Sequence, residues 1–358
     1  MIRRIYLSLL FLLLSSFAFA GDVELNPNHP QQYTVVRGDT LWDISGKFLK
    51  YPWHWPVIWQ ANSQIKNPHL IYPGDLLTLV YRNGKPMLKL TRGSKAYKMS
   101  PKVREITLEK AIPTIPLAAI KAFLTRPQVL DENTLKLAPY IVATSDERLI
   151  SGAGDKVYAR GFKNENDKHF SIFSQGQVYK DATTQEILGY EAIYKGDAWV
   201  TKMADPATLD IHESTQEILV GDRLLPVVED DYEMNFLPRS PDHEINGNII
   251  SVFNGVSQVG QYQIVVLDRG ARNGLEVGHV LSIHQAGKTV IDPVLSGRED
   301  ETYFNVHNKD VDRNQTVVLP DEGAGIAMVF KVFKKVSYAI VMKANRAIHL
   351  NDKVSSAN

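Results

Sequence analysis

Tyr33-Thr34-Val35-Val36-Arg37-Gly38-Asp39-Thr40-Leu41-Trp42-Asp43-Ile44 contains a strand, a turn and the start of a helix in twelve residues. Tyr33 to Val36 is β-branched and aromatic, the composition that suits a pleated surface. Gly38 supplies a turn position and Asp39-Thr40 a helix cap. Leu41, Ile44 and Phe48 then fall at i, i+3 and i+7, one face of a helix. Farther along, Pro56 opens a second helix with Ile58-Trp59 inward and Asn62 near its end. Asn67-Pro68 and Pro73-Gly74-Asp75 mark turns, and Leu76 to Val80 is a second strand. The order is strand, helix, helix, strand.

This opening, with the closing stretch Ile65-Lys66-Asn67-Pro68-His69-Leu70-Ile71-Tyr72-Pro73-Gly74-Asp75-Leu76-Leu77, resembles a LysM domain over residues 33–80. The resemblance implies a βααβ module that recognises N-acetylglucosamine-containing glycan, in bacteria chiefly peptidoglycan. It places the sugar in a shallow groove between the first strand-to-helix loop and the loop before the last strand. Carried over by position, it implies glycan contacts from Gly38, Asp39, Thr40 and Leu41, and from Asn67, Pro68, Leu70, Ile71 and Tyr72. Asp39 and Thr40 have a second role as a cap, and Ile71 a second role in the core. Tyr51-Pro52-Trp53-His54-Trp55-Pro56 is bulkier than the family pattern. Trp42 and Trp59 sit at core-like helical positions, whereas Trp53 and Trp55 suit either packing or a sugar face. The whole chain also resembles LysM-containing exported proteins of Gram-negative bacteria, which implies a compartment and no mechanism.

Upstream, Arg3 and Arg4, an apolar run from Ile5 to Leu14 and Ala18-Phe19-Ala20 read as a signal peptide over 1–20, cleaved between Ala20 and Gly21. The expected compartment is the periplasm. Residues 21–32 read as an extended leader. The chain has no cysteine, which excludes a disulfide, a thiolate zinc site and a cysteine nucleophile. Charges are equal overall but segregated: Tyr81 to Arg126 carries a net +9 and Pro127 to Asn358 a net −10. The basic strip lacks stacking aromatics, and with export this argues against nucleic acid as a partner.

Downstream, residues 81–139 read as a basic connecting segment, with a strand at Val103–Leu108 and a helix over Leu117–Leu124. Beyond Pro139, β-rich runs between glycines predict small barrels or sandwiches: Tyr140–Thr144, Lys156–Arg160, Phe170–Ser174, Ile187–Tyr194 and Ala198–Met203. The fold class expected is therefore α+β, with β-rich modules at 140–228 and 247–358 about an acidic linker at 229–246. A repeat relates them. Leu188–Lys195, Ala198–Val200, Ile211 and Gly221-Asp222-Arg223-Leu224 align by pattern with Ala324–Lys331, Ser337–Val341, Ile348 and Asn351-Asp352-Lys353-Val354.

LysM domains often accompany wall hydrolases and transpeptidases, so their catalytic signatures decide between classes. His-x-His, His-Glu-x-x-His and Gly-x-Ser-x-Gly are all missing. Ser63-Gln64-Ile65-Lys66 fits Ser-x-x-Lys by letter only, without a Lys-Thr-Gly element. Gly152-Ala153-Gly154-Asp155 reads as a β-turn, and His279 and His284 as structural. A carboxylate pair remains compatible with the sequence, with Asp230, Asp231, Glu233, Asp242 and Glu244 the densest set. The expectation is a non-catalytic wall-binding protein without cofactor or metal, whose β-rich region meets an envelope protein. The alternative is a LysM-targeted hydrolase using carboxylates.

Overall fold

The computed structural model describes residues 23–59, 70–92, 111–116, 119–120, 123–124, 128–145, 148–164, 166–227, 236–253, 258–292 and 316–357. Ala20, Gly21, Asn62, Asn67, Pro68, Val103–Leu108, Asp230, Asp231 and Glu233 lie outside the described residues. The chain divides into two compact units, Met1–Ile112 and Pro113–Asn358.

The first unit has the anticipated order. Strand β1 (Gln32–Thr34) is followed by helix α1 (Leu41–Phe48), a 3₁₀ turn (Pro52–His54), helix α2 (Trp55–Trp59) and strand β2 (Leu76–Arg82). A third strand, β3 (Lys85–Thr91), completes an antiparallel sheet in the order β1-β2-β3. Asn83 and Gly84, both at positive φ (52° and 77°), make the β2–β3 turn. Asn-Gly is the residue pair that such a hairpin requires. The start of the basic segment is thus a strand of this unit, whose Leu88 and Leu90 enter the core. The leader is also tied down: Asn26 N–H donates to Phe48 O at 2.9 Å and Lys50 N–H to Glu24 O at 3.0 Å. Ile44, Phe48, Trp55, Ile58, Ile71 and Leu77 are fully buried around them.

In the second unit, β4 (Gln128–Leu130) and the short helix α3 (Glu132–Leu137) precede β5 (Tyr140–Thr144), β6 (Lys156–Arg160) and β7 (His169–Lys180). Then come β8 (Ile187–Lys202), β9 (Ala207–Ser214) and β10 (Arg223–Pro226). Because β8 pairs with both β7 and β9, the order β8-β7-β10-β5-β6-β9 returns on itself as a six-stranded ring. β8 is one strand where the sequence suggests two. Gly196 interrupts the pattern for packing and not for a turn: a Cβ there would lie 2.1 Å from the Glu213 carbonyl oxygen.

The second module comprises β11 (Asn246–Val252), β12 (Ile264–Leu267) and β13 (Val280–Gln285), then the hairpin β14 (Thr289–Ile291)–β15 (Thr316–Val318). It ends with β16 (Glu322–Val332), β17 (Ser337–Ala344) and β18 (Lys353–Ser356). The barrel closes as β11-β12-β17-β16-β13-β18. Replacing these strands in turn by β5, β6, β9, β8, β7 and β10 gives the first ring, so the two barrels share one topology.

The match extends to single hydrogen bonds. Ile141 N–H donates to Asp222 O and Gly221 N–H to Ile141 O; Ile249, Asp352 and Asn351 repeat the pattern. Ser151 bridges Ile218 as Val259 bridges Ile348. The Asp222 carboxylate accepts from Leu219 N–H and that of Asp352 from His349 N–H, each at 2.8 Å. The equivalence of Gly221–Leu224 with Asn351–Val354 therefore stands. The upstream register does not. Gly196↔Ser214 and Ala198↔Ile211 correspond to Gly325↔Ala344 and Ala327↔Val341, which makes Ala198–Val200 the counterpart of Ala327–Val329. Ile211 is accordingly the counterpart of Val341, and Ile218 that of Ile348. The similarity of Leu188–Lys195 to Ala324–Lys331 came from a hairpin extension of β8 whose alternation resembles that of β16.

Candidate glycan-binding groove

Val35 holds the site together at its base. Its N–H donates to Asp75 O at 2.9 Å and its carbonyl accepts from Gly74 N–H at 2.8 Å, which joins the β1–α1 loop to the loop before β2. From this junction the first loop rises through Val36 and Arg37, turns at Gly38 (φ +100°) and enters α1. Asp39 Oδ2 accepts from Val36 N–H and from the Tyr33 hydroxyl, both at 2.9 Å. Burial and the bond to Asp39 hold the Tyr33 phenol neutral, with its pKa pushed up to about 12. The Thr40 hydroxyl accepts from Asp43 N–H at 3.1 Å and donates to Asp43 Oδ2 at 2.7 Å, a reciprocal cap.

The second loop is fixed in the same way. Asp75 Oδ2 accepts from Tyr72 N–H at 3.0 Å, and the Arg92 guanidinium donates to Leu70 O at 3.0 Å while lying over the Tyr72 ring. Ile112 N–H donates to Ile71 O.

The residues singled out by the family resemblance therefore take different parts. Gly38 and Leu70 are exposed, Leu70 by 42%, and Asp39 and Tyr72 are half-buried. Thr40, Leu41 and Ile71 are buried at 4%, 2% and 0% exposure, so they shape the loops from within, and Ile71 has no surface to offer a ligand. Two residues not singled out by sequence border the loops: exposed Val36, and Arg92 just after β3. An arginine near the end of a strand carries no sequence signal for such a position until the β2–β3 register is known.

Trp53 and Trp55 are 3% and 0% exposed, which settles their role as packing. Trp53 stacks on Trp42 at 6.3 Å and Trp55 on Trp59 at 5.1 Å. The bulky inter-helix stretch supplies core volume.

Among the described residues no group of three or more His, Asp or Glu side chains is placed to hold a metal ion. Gly154, at φ +90°, completes the turn in which Asp155 N–H donates to Gly152 O. His279 is buried, which lowers its pKa, and its Nδ1 accepts from Glu276 N–H. His284 Nε2 lies 3.0 Å from Ser355 Oγ. Asp242 and Glu244 are exposed.

Residues 33–80 match the LysM domain family. A Bacillus subtilis (strain 168) protein described as "Uncharacterized protein YqbP" is 40% identical over 60 residues, a match covering 14% of this chain and 27% of that one. The chain thus spans about a quarter of that relative's length. The first unit contains a LysM domain, and this supports binding of peptidoglycan-type glycan.

Proposed function

We propose that this protein is exported to the periplasm of a Gram-negative bacterium and bound there to peptidoglycan through its LysM domain, without cutting it. The two barrels present surfaces to an envelope protein. The observation that carries the reading is the family match over residues 33–80, on two loops joined at Val35, with Gly38 and Leu70 exposed and Tyr72 half-buried on them.

The groove implied by the LysM resemblance is shallow, and the Asp39, Thr40 and Asp75 side chains beside it are already engaged internally. Contact with sugar falls to backbone groups and a few exposed side chains, so a single site binds modestly. Retention on a wall then comes from the abundance of repeated glycan around each molecule.

The test is co-sedimentation of the full chain with intact sacculi. Soluble N-acetylglucosamine oligomers should release it and the monosaccharide should do so poorly, because a groove of this form meets several rings. Soluble muropeptides should not accumulate. Failure to sediment would remove the binding reading; muropeptide release would replace it with the hydrolase reading.

A further inference from the structure

At the mouth of the second barrel, where β11 and β18 meet the tip of the β7–β8 hairpin, lies a cleft of about 520 Å³. Three basic side chains line it: Arg269, His284 and Lys353. Asp321 is the sole carboxylate on its wall among the described residues, and it holds the Lys353 ammonium at 2.6 Å.

Arg269 is fixed before any ligand arrives. Its Nε donates to Asn246 O at 2.6 Å, and its Nη1 lies 3.0 Å from Asp181 Oδ2, 2.9 Å from Asp268 O and 3.1 Å from Asp268 Oδ1. The Nη2 group makes no hydrogen bond to the described residues, so one end of the fork remains available. Gly247 permits this placement, since a Cβ there would lie 2.6 Å from Arg269 Cγ. A guanidinium clamped on one edge and free on the other is pre-organised for an oxyanion.

The first barrel lines the equivalent mouth differently. At the positions of Asn248, Arg269, Lys353 and Ser355 it carries Tyr140, Gly161, Arg223 and Leu225. Its Arg223 is turned inward, over the Tyr140 ring at 5.2 Å and donating to Ala138 O. One topology thus lines its mouth with an aromatic ring and an engaged arginine in one copy, and with basic and hydroxyl side chains in the other.

The geometry points to an oxyanion-binding site in this cleft, with Arg269, His284 and Lys353 around a carboxylate or phosphate group of a small molecule. The site does not depend on the LysM groove. Its test uses the isotopically labelled full chain, titrated separately with inorganic phosphate, N-acetylmuramic acid and neutral N-acetylglucosamine, with amide shifts of Asn248 and Ser355 as readout. Saturable shifts are expected with an anion and not with the neutral sugar; which anion binds tighter identifies the source. Lys353→Gln and His284→Asn, neither of which touches the Arg269 clamp, should each weaken binding about tenfold, the loss of one charge-assisted hydrogen bond. Thermal melts establish that both variants fold. The proposal is overturned if neither anion moves these amides, if the neutral sugar moves them equally, or if both folded variants bind like the wild type.

Discussion

The two barrels are built on one strand order yet treat the outer face of one equivalent strand pair, β8–β9 and β16–β17, in opposite ways. In the second, Val266, Met328, Phe330, Tyr338 and Ile340 are buried on the side away from the barrel interior. Phe123 and Leu124 cover part of that face: the Lys331 ammonium donates to the carbonyls of both, and Phe123 packs on Phe253. The later part of the basic segment is therefore a covering element and not only a connection. In the first barrel the same positions on β8 and β9 hold Trp199, Thr201, Thr208 and Asp210, and Trp199 is 47% exposed. Topology is set by what points inward, while the outer residues decide whether the barrel is wetted or covered. Covering by a neighbour turns alternating strands into continuous apolar ones.

Tyr338 and Thr208 occupy equivalent outer positions, and exchanging them gives the largest contrast. Tyr338→Thr should cost about 4 kcal/mol, because it empties a ring packed against Phe253 at 5.1 Å and Phe333 at 5.0 Å. Thr208→Tyr should change stability by less than about 1 kcal/mol, since that face is solvated. Chemical denaturation of each variant measures both, and equal losses would break the comparison.

Where the barrels should behave alike, the equivalent glycines are the probe. A Cβ at Gly196 or Gly325 would lie 2.1 or 2.3 Å from the opposing carbonyl oxygen of Glu213 or Lys343. Gly196→Ala and Gly325→Ala should each destabilise their barrel by about 3 kcal/mol, at the upper end for overpacking. A neutral result at either position would separate the two registers.

Lys195 is a difference buried inside the likeness. Its ammonium lies 2.9 and 3.1 Å from the Asp222 carboxylate oxygens, both side chains buried, whereas the second barrel has Ala324 opposite Asp352. Lys195→Ala should cost about 2 kcal/mol, below the usual loss for a broken buried pair, because Leu219 N–H still satisfies Asp222. Urea unfolding that shows no loss would mean the turn alone supports the carboxylate, as it does for Asp352.

The smallest effect is at the contact between the barrels. Asp181 is held at a pKa of about 2, first by Thr184 N–H and then by Thr183 N–H, with Arg269 contributing. A depressed carboxylate adds stability above its unfolded pKa, near 4, and that stability is lost as pH falls toward about 2. Burial raises the pKa of neighbouring Asp268, which acts in the opposite sense. Asp181→Asn should therefore cost about 1 kcal/mol at neutral pH and nothing at pH 2, read from unfolding at both values.

Most of the first unit was legible because its signals are local. The Thr40 cap, the i, i+3, i+7 stripe and the Pro73-Gly74-Asp75 turn each act over a few residues. β3 was missed even though Asn83-Gly84 announces its hairpin. The β5 and β6 bounds were legible from alternation between glycines. The register of the repeat was not, because it rests on Gly196 and Gly325 meeting carbonyls about eighteen residues away in sequence, and spacing does not reveal contact. In the groove, position gave the loops, but burial divided Leu70 from Ile71. That division depends on which way a loop faces the core.

If the first unit carries the wall-binding groove, the Leu70 side chain lies on its sugar-facing wall. Leu70 is 42% exposed and only its carbonyl is engaged, by Arg92. The measurement is sedimentation of the full-length Leu70→Asp chain with sacculi, beside its thermal melt. Binding should fall at least about tenfold, as a charge enters a sugar-facing wall, with melting unchanged. Undiminished sedimentation of the folded variant would contradict that placement.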